Sequence, residues 1–289
     1  MPHLDDYKIK FLEQKANDVR RSIIEMLVEA KSGHTAGPLG MADIFTAFYF
    51  HILKHDPKNP AWVDRDRLVL SNGHICPVMY SAMAHAGYFP VEELKTLRKF
   101  GSRLQGHPHR EFLPMLETSS GPLGEGLSQA VGMALADRLD RGLNSNRTMY
   151  CFLGDGELNE GQVWEAVMLA GKEKLHNLVA IVDRNNIQID GFTETIMPLE
   201  PLADKWKAFG WHVLEIDGHN MEAIVDAVDE ARAIFEKPSV IIAHTIPGKG
   251  VDMFEFDYKW HGNPPNKEQG AAALAELRTL HGQIVSEHQ

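Results

Sequence analysis

The sequence predicts an α/β fold, a doubly wound and mostly parallel sheet with helices on both faces. Strand-like runs recur along the chain, and longer stretches with helical spacing separate them. Several of the runs are almost continuously apolar, which is typical of strands that are buried on both faces of a parallel sheet. Because strands and helices alternate, we expect a ligand to bind at the carboxyl ends of the strands.

The predicted strands are short runs flanked by Gly, Asp or Asn, and these residues favour a turn over a continuing helix. The strands cover residues 67–71, 148–153, 178–183, 212–217 and 240–245.

The predicted helices lie around and between these runs. Residues 8–31 carry apolar side chains at helical spacing, and Gly33 marks the end of that pattern. Residues 41–53 are apolar almost all round, which indicates a helix in the core. Residues 221–235 are amphipathic, and Asn220 is expected to cap them. Further helices are predicted at 125–141, 162–174 and 267–285.

Length and composition are those of an ordinary globular domain. The chain has 289 residues, of which 44% are apolar and 24% are charged, and no linker rich in Pro, Gly or Ser divides it. We therefore predict a single domain over residues 1–289 with an amino-terminal and a carboxyl-terminal helix.

Charge and cysteine content argue against several classes of protein. The formal net charge is −11 and no basic run is present, which disfavours nucleic-acid binding. No apolar stretch approaches the ~18–20 residues that cross a membrane, and the polar start is unlike a secretory signal. Two cysteines, Cys76 and Cys151, are too few for a disulfide framework. We expect a cytoplasmic protein that does not bind a membrane.

Two polar motifs follow neighbouring predicted strands. Gly154, Asp155 and Gly156 come after the second strand, and Asn185 and Asn186 come after the third. A carboxylate, an amide oxygen and backbone carbonyls can hold Mg²⁺ together with phosphate oxygens. We also expect the amides around Gly156 to be free to bind a phosphate. A lone GDG is more often a tight turn, but the paired motifs favour a ligand site.

The combination of GDG with a later NN resembles the thiamine-diphosphate motif, and the wider sequence resembles the transketolase family. Segments with counterparts in that family occur in the same order from residue 23 to residue 261. They read SGHTAGPLGMAD, LSNGHICPVMYS, QGHPH, TSSGPLGEGLSQAVGMA, GDGELNEGQVWEA, DRNNIQIDG and WHG. The resemblance implies the thiamin diphosphate-binding fold, in its diphosphate-binding domain, and thiamine diphosphate as the cofactor.

The resemblance also implies a metal site formed by Asp155, Asn185 and the carbonyl of Ile187. Mg²⁺ is the expected ion, with Ca²⁺ or Mn²⁺ as possible substitutes. The implied cofactor contacts form a larger set, which consists of His74, Gly121, Leu123, Gly154, Gly156, Glu160, Asn185, Ile246 and His261.

Histidines that follow glycine are the expected catalytic groups. A single histidine is more often structural, but His34, His74 and His107 lie at predicted element ends that a sheet edge can gather. Imidazole suits hydrogen bonding to sugar or phosphate oxygens and proton transfer near neutral pH. The resemblance implies that His74 contacts the diphosphate and that His34 and His107 contact donor hydroxyls. It also implies that His261 contacts both the diphosphate and the substrate. All four histidines, His34, His74, His107 and His261, are therefore expected to be catalytic.

Two charged residues, Glu160 and Arg184, lie near the GDG and NN motifs. By itself Glu160 is an ordinary solvated residue at the start of a helix, whereas the resemblance implies a buried carboxylate network that crosses a subunit interface. Arg184 stands where an acidic or amide residue is usual, and no role is assigned to it.

A full transketolase is more than twice as long as this chain. We therefore expect the amino-terminal subunit of a split transketolase, without the pyrimidine-binding and C-terminal domains. A second subunit would supply those domains, and a homodimer core within an α2β2 assembly is the expected arrangement. The implied reaction transfers a two-carbon ketol unit from a ketose phosphate to an aldose phosphate.

Other functions remain open at this point. The chain could serve another thiamine-diphosphate enzyme, such as a deoxyxylulose-phosphate synthase or a 2-oxo acid decarboxylase, or it could be a non-catalytic binding module. Several histidines favour a sugar substrate, because sugar hydroxyls need many polar contacts. A generic nucleotide binder is disfavoured, since no GxGxxG follows the first strand.

Overall fold

The computed structural model describes residues 4–143 and 145–279. Its main sheet has five strands in the order β1-β2-β3-β7-β6, and every neighbouring pair is parallel. A separate two-stranded antiparallel hairpin consists of β4 and β5. The strands are β1 (Arg67–Leu70), β2 (Met149–Gly154), β3 (Leu178–Arg184), β4 (Ile187–Gln188), β5 (Gly191–Phe192), β6 (His212–Asp217) and β7 (Ser239–His244). All five predicted strands are therefore confirmed.

Ten α-helices surround the sheet within the described residues. They are α1 (Asp6–Ala30), α2 (Ala36–Gly40), α3 (Ala42–Ala47), α4 (Cys76–His85), α5 (Glu125–Arg141), α6 (Gly161–Glu173), α7 (Thr193–Ile196), α8 (Leu202–Ala208), α9 (Met221–Ala233) and α10 (Lys267–Thr279). The expected cap of α9 is confirmed, because the Asn220 side chain accepts a hydrogen bond from the Ala223 amide at 3.1 Å.

The structure differs from the predicted helices in two of the following points, and the third concerns residues that are not described. The single helix expected over 41–53 is two pieces, since α3 ends at Ala47 and one π-helical turn continues over Phe48–Ile52. The helix α4 (Cys76–His85) was not predicted from the sequence. Part of the last predicted helix, residues 280–285, lies outside the described residues.

Alternating side chains of the strands enter two separate apolar layers. In β2, Tyr150 and Phe152 pack with α1, α3, α4 and α9, whereas Cys151 and Leu153 pack with α5, α6 and α8. From β1 to β3 each new strand is added on the same side of the previous one, and the connecting helices α5 and α6 lie on one face of the sheet. From β6 to β7 the strand is added in the opposite direction, and the connecting helix α9 lies on the other face. Crossovers of one handedness require this change of face, so the doubly wound prediction is confirmed. The described part of the chain has no helix suited in length and hydropathy to crossing a membrane.

Phe152 is expected to be one of the main contributors to stability. Its ring is fully buried and lies 4.7 Å from the Phe45 ring and 5.0 Å from the Phe48 ring, measured between centroids. Phe152→Ala should lower the free energy of unfolding by about 3–5 kcal/mol in urea titration, because it leaves a cavity. Phe100→Ala is the control, since that side chain is fully exposed, and it should change stability by less than about 0.5 kcal/mol. Equal losses in the two variants would contradict this account of the core.

Candidate active site

The carboxyl ends of β1, β2 and β3 place polar residues at one edge of the sheet. Ser71 and Asn72 follow β1, Asp155 follows β2, and Asn185 follows β3. The strand register aligns Gly154 with Asp183, so the GDG and NN motifs are adjacent. The structure therefore brings the two motifs together as the sequence predicts.

Asp155 is buried and held from several sides. Its Oδ1 accepts a hydrogen bond from the Gly156 amide at 2.7 Å. Its Oδ2 accepts from the Asn186 amide at 2.7 Å and from the Arg184 guanidinium at 3.0 Å. Burial raises the pKa of Asp155, while Arg184 opposes that shift. The Oδ1 atom has a second lone pair that could bind a cation.

Asn185 offers a neutral oxygen beside this carboxylate. Its Oδ1 accepts from the Ile187 amide at 3.0 Å, and its Nδ2 donates to Asp183 at 2.8 Å. The Asp183 carboxyl also accepts a hydrogen bond from the Thr245 hydroxyl, and burial raises its pKa to about 7. These bonds fix the amide so that its oxygen, like Asp155 Oδ1, retains one free lone pair.

The oxygen donors at this edge fit a hard cation such as Mg²⁺ only in part. Over residues 4–143 and 145–279, no group of three or more His, Cys, Asp or Glu side chains is arranged to hold a metal. An ion held by Asp155 and Asn185 therefore needs further oxygen ligands, such as the Ile187 carbonyl and phosphate oxygens. The donor set agrees with a metal that binds together with a phosphorylated ligand.

Histidines from three separate segments meet next to the sheet edge. The ring centroids of His34 and His74 are 4.9 Å apart, those of His74 and His261 are 5.1 Å apart, and those of His34 and His261 are 5.7 Å apart. His107 is exposed and lies beside Gly121, since a Cβ on that glycine would be 3.9 Å from the His107 Cβ. The four predicted histidines thus belong to one region, with His107 on its outer side.

The rings of His34, His74 and His261 are partly buried, and their surroundings favour the neutral form. Burial, together with nearby His261, Arg98 and His107, lowers the pKa of His34 to about 3. Burial also lowers the pKa of His261, and it lowers the pKa of His74 well below the ordinary value. Neutral imidazoles can both accept and donate hydrogen bonds. The cluster can therefore orient hydroxyl groups and accept a proton.

Several buried polar atoms around this region have no hydrogen-bond partner among the described residues. They are both polar atoms of the Asn72 side chain, Ser120 Oγ, Gln188 Nε2 and the Nδ1 atoms of His34 and His261. Asn72 lies beside Gly154, Gln188 beside Gly156, and Ser120 beside Gly73. Each unpaired buried group costs about 1–3 kcal/mol, so such a cluster indicates a polar ligand that pairs with them. Thiamine diphosphate, with its phosphate oxygens and polar ring, fits this set of donors and acceptors.

The backbone amides of Gly154 and Gly156, which were expected to be free for a phosphate, already donate hydrogen bonds within the chain. The Gly156 amide donates to Asp155 at 2.7 Å, and the Gly154 amide donates to Glu157 at 3.0 Å. Neither of these two amides is free in this structure, and contacts of Gly154 and Gly156 with a phosphate stay predictions. Without side chains, both glycines still leave space next to the unpaired amides of Asn72 and Gln188.

Leu123 and Ile246 are the two apolar residues expected to contact the cofactor. The Leu123 carbonyl accepts from Gln162 at 2.9 Å, and Gly124, which follows it, has a positive φ of 83°. The Ile246 amide donates to His219 at 2.8 Å. Their contacts with a cofactor stay predictions.

Glu160 is exposed in this chain, so the buried carboxylate network implied for it is not formed within the described residues. Its place at a subunit interface stays a prediction. The buried carboxylate of this turn is Glu157, which is 2% exposed. Sequence reasoning missed Glu157, although its position directly after GDG was a usable signal.

Arg98 is a second residue that sequence reasoning missed. Its guanidinium donates to the Ser32 hydroxyl at 2.9 Å and to the Gly106 carbonyl at 3.2 Å, and so it joins the loops that carry His34 and His107. Its charge also contributes to the lowered pKa of both histidines. No pattern in the sequence marks this contact, because the joined loops are far apart along the chain.

Arg184, which had no assigned role, forms ion pairs with Asp155, Glu194 and Glu200. Its guanidinium is 3% exposed, and Glu194 and Glu200 are at least partly open to solvent. The arginine therefore connects the carboxylate of the GDG motif to the segment after the β4–β5 hairpin.

Comparison with known proteins agrees with this geometry. The model of a family described as "Transketolase, thiamine diphosphate binding domain" matches residues 12–283. The chain is 46% identical to the 6-deoxy-6-sulfo-D-fructose transketolase subunit of Clostridium sp. (strain MSTE9), and the match covers 92% of this chain and 96% of that subunit. It is 41% identical to the apulose-4-phosphate transketolase subunit of Phocaeicola vulgatus, with coverage of 93% and 95%.

Longer proteins and solved structures are similar over the same region. Transketolase 1 of Escherichia coli (strain K12) is 42% identical, and the match covers 92% of this chain but 41% of that protein. The transketolase structure from Campylobacter jejuni is 39% identical with a TM-score of 0.87, and the match covers 93% of this chain and 43% of that one. The transketolase from Leishmania mexicana has the same TM-score of 0.87 at 36% identity, covering 92% of this chain and 41% of that one.

The neutral state of His34 gives a testable pH dependence. Its pKa is lowered from 6.5 to about 3 on folding, so between these values the unfolded chain binds more protons than the folded chain. His34 therefore removes stability as the pH falls through this window. In His34→Gln the free energy of unfolding should fall less steeply over the same window, as measured by urea titration at a series of pH values. An unchanged slope would mean that the ring does not titrate as its surroundings indicate.

Proposed function

Because this chain belongs to the transketolase family, we propose that it is the thiamine-diphosphate-binding subunit of a split transketolase. The reaction transfers a two-carbon ketol unit from a ketose phosphate to an aldose phosphate. The observation that carries the proposal is the cluster of His34, His74 and His261, in which His74 follows β1 at the same sheet edge as Asp155 and Asn185. Neutral rings can donate hydrogen bonds to hydroxyl groups and accept them, so they suit a substrate that is rich in hydroxyl groups.

Asp155, Asn185 and the Ile187 carbonyl would hold Mg²⁺, and Ca²⁺ or Mn²⁺ could substitute for it. Asn72 and Gln188 have unpaired amides next to Gly154 and Gly156, and these amides suit diphosphate oxygens. Thiamine diphosphate, when bound, supplies the electron sink for the carbon–carbon bond that is broken.

The histidines have separate tasks in this proposal. His74 would contact the diphosphate, and His261 would contact both the diphosphate and the substrate. His34 and His107 bind donor hydroxyls, and a neutral imidazole can take the proton that a hydroxyl releases when the donor is cleaved. Arg98 holds the loops of His34 and His107 through Ser32 and Gly106.

A partner chain completes the enzyme. The chain spans almost the whole of two relatives named as transketolase subunits but 41% of transketolase 1 of E. coli. We infer that a second subunit carries the pyrimidine-binding and C-terminal domains, and that a homodimer of this chain forms the core of an α2β2 assembly in the cytoplasm. Glu160, which is exposed here, would then be covered by the interface.

A sulfonated ketose is a second candidate donor. The relative that is 46% identical over 96% of its length is named for 6-deoxy-6-sulfo-D-fructose. Such a sugar presents the same ketol end to the histidines, and its anionic group lies at the opposite end. The donor's anionic group would therefore be bound by the partner chain.

Reconstitution tests the assignment. The chain, with thiamine diphosphate and Mg²⁺, is given ribose 5-phosphate and either xylulose 5-phosphate or 6-deoxy-6-sulfofructose, with and without the pyrimidine-domain subunit from the same organism. We expect ketol transfer only in the mixture of both chains. Activity of this chain alone would contradict the division of the site, and inactivity of the mixture with both donors would contradict the proposed reaction.

Asp155→Ala should abolish Mg²⁺-dependent binding of thiamine diphosphate by the assembled protein. The substitution removes the only carboxylate of the proposed metal site, so the diphosphate loses its bridging cation. Isothermal titration calorimetry measures the change. Asp226→Ala is the control, because Asp226 is exposed on α9. This variant should bind thiamine diphosphate as tightly as the unchanged protein does. Tight Mg²⁺-dependent binding by the Asp155 variant would refute the metal assignment.

A further inference from the structure

One buried carboxylate joins three segments that reach the candidate site. Glu157 lies in the 3₁₀ turn Gly156–Asn159 directly after β2 and is 2% exposed. Its Oε1 accepts from the Ser71 hydroxyl and from the Gly124 amide at 2.7 Å. Its Oε2 accepts from the Gly154 amide at 3.0 Å. The end of β1, the end of β2 and the turn before α5 therefore bind the same side chain.

The contact with the turn before α5 is reinforced by Ser71. Its hydroxyl oxygen accepts from the Gly126 amide at 3.0 Å while the hydroxyl donates to Glu157. A Cβ on Gly126 would lie 2.4 Å from the Ser71 Cβ, so only glycine allows this approach. Gly124 adopts a positive φ of 83°, which directs the chain into the turn. The backbone at Gly124 and Gly126 is thus fixed against the ends of two strands.

Three hydrogen bonds, from Ser71, Gly124 and Gly154, hold the buried side chain of Glu157. All three of these donors are uncharged, so the carboxylate is stabilised by dipoles. A buried carboxylate with neutral partners is weak evidence for stability alone, since an apolar residue fills the same volume without desolvating a charge. The position of Glu157 between three segments of the site explains better why a carboxylate is buried there.

On the basis of the proposed function, we propose that Glu157 is a positioning residue for the cofactor site. It sets the distance between the 121–126 turn, which carries the expected cofactor contacts Gly121 and Leu123, and the Gly154–Asp155 end of β2, which is expected to hold the diphosphate and metal. Glu157 itself touches no reacting atom. A ligand that spans both parts depends on this distance, whereas a ligand that occupies only the diphosphate part does not.

Two ligands of different length test this role in the full chain assembled with its partner subunit. Glu157→Gln keeps the shape of the side chain but turns an amide N–H₂ towards one of the three donors. The loss of a charge-assisted bond should weaken binding of thiamine diphosphate by about tenfold, with less than about twofold change for inorganic pyrophosphate with Mg²⁺. Glu222→Gln, an exposed glutamate of α9, is the control and should change neither affinity.

Hydrogen exchange gives a readout that is independent of cofactor. In the variant the Gly124 amide should exchange faster, while amides in the middle of β3 stay protected. Unchanged affinity for thiamine diphosphate, or equal weakening of both ligands, would overturn the positioning role. If the unchanged protein binds no thiamine diphosphate, the proposed function itself fails.

Ser71→Ala decides the question if Glu157→Gln does not fold. It removes one donor and leaves the carboxylate with the two backbone amides. The same selective loss of thiamine diphosphate affinity, smaller in size, is expected, and an unselective loss would contradict the proposal.

Discussion

Parallel pairing of five strands, of which the central three (β2, β3 and β7) are buried on both faces, is the constraint on which the rest of the molecule depends. Helices cover both faces, so polar groups can meet a ligand only at an edge of the sheet. Ser71, Asp155 and Asn185 each follow a buried strand and appear together at the carboxyl edge. Each apolar run forms a strand of the sheet, and the polar residue that follows the run therefore lies at the carboxyl edge of the sheet.

Burial has opposite effects on the pKa values of the acidic and basic groups at this edge. It lowers the pKa of His34 and His74 and raises the pKa of Asp155 and Glu157, because the charged form is disfavoured in each case. The histidines remain neutral, whereas each carboxylate keeps hydrogen bonds that favour its charge. The site thus offers neutral rings and a negative carboxylate. An anionic ligand is accepted at such a place when a cation binds with it, which supports the proposed metal.

The fold was predictable because its signals are local. An apolar run of a few residues, such as 178–183, is enough to predict a buried strand, and the turn residues after the run predict where that strand ends. The division of 41–53 was not predictable, since the π-helical turn at Phe48–Ile52 is not distinguished by an all-apolar pattern. The cluster of His34, His74 and His261 was suggested by glycine contexts, but its geometry depends on three distant segments.

Long-range contacts explain the site residues that sequence reasoning misplaced. Glu157 and Glu160 lie in one short motif, and only the approach of Ser71 and Gly124 decides that the first is buried while the second is exposed. Arg98 acts through Ser32 and Gly106, which no spacing relates to it.

The unpaired polar atoms link stability to ligand binding. Asn72 has both polar side-chain atoms buried and unpaired among the described residues, and His34 and His261 each have one such atom. These groups lower the stability of the folded chain, because the unfolded chain hydrates them. A ligand that pairs with them binds the folded state alone and so recovers that free energy. The two apolar layers must therefore supply the stability that the sheet edge gives up, and the edge is left ready for a polar ligand.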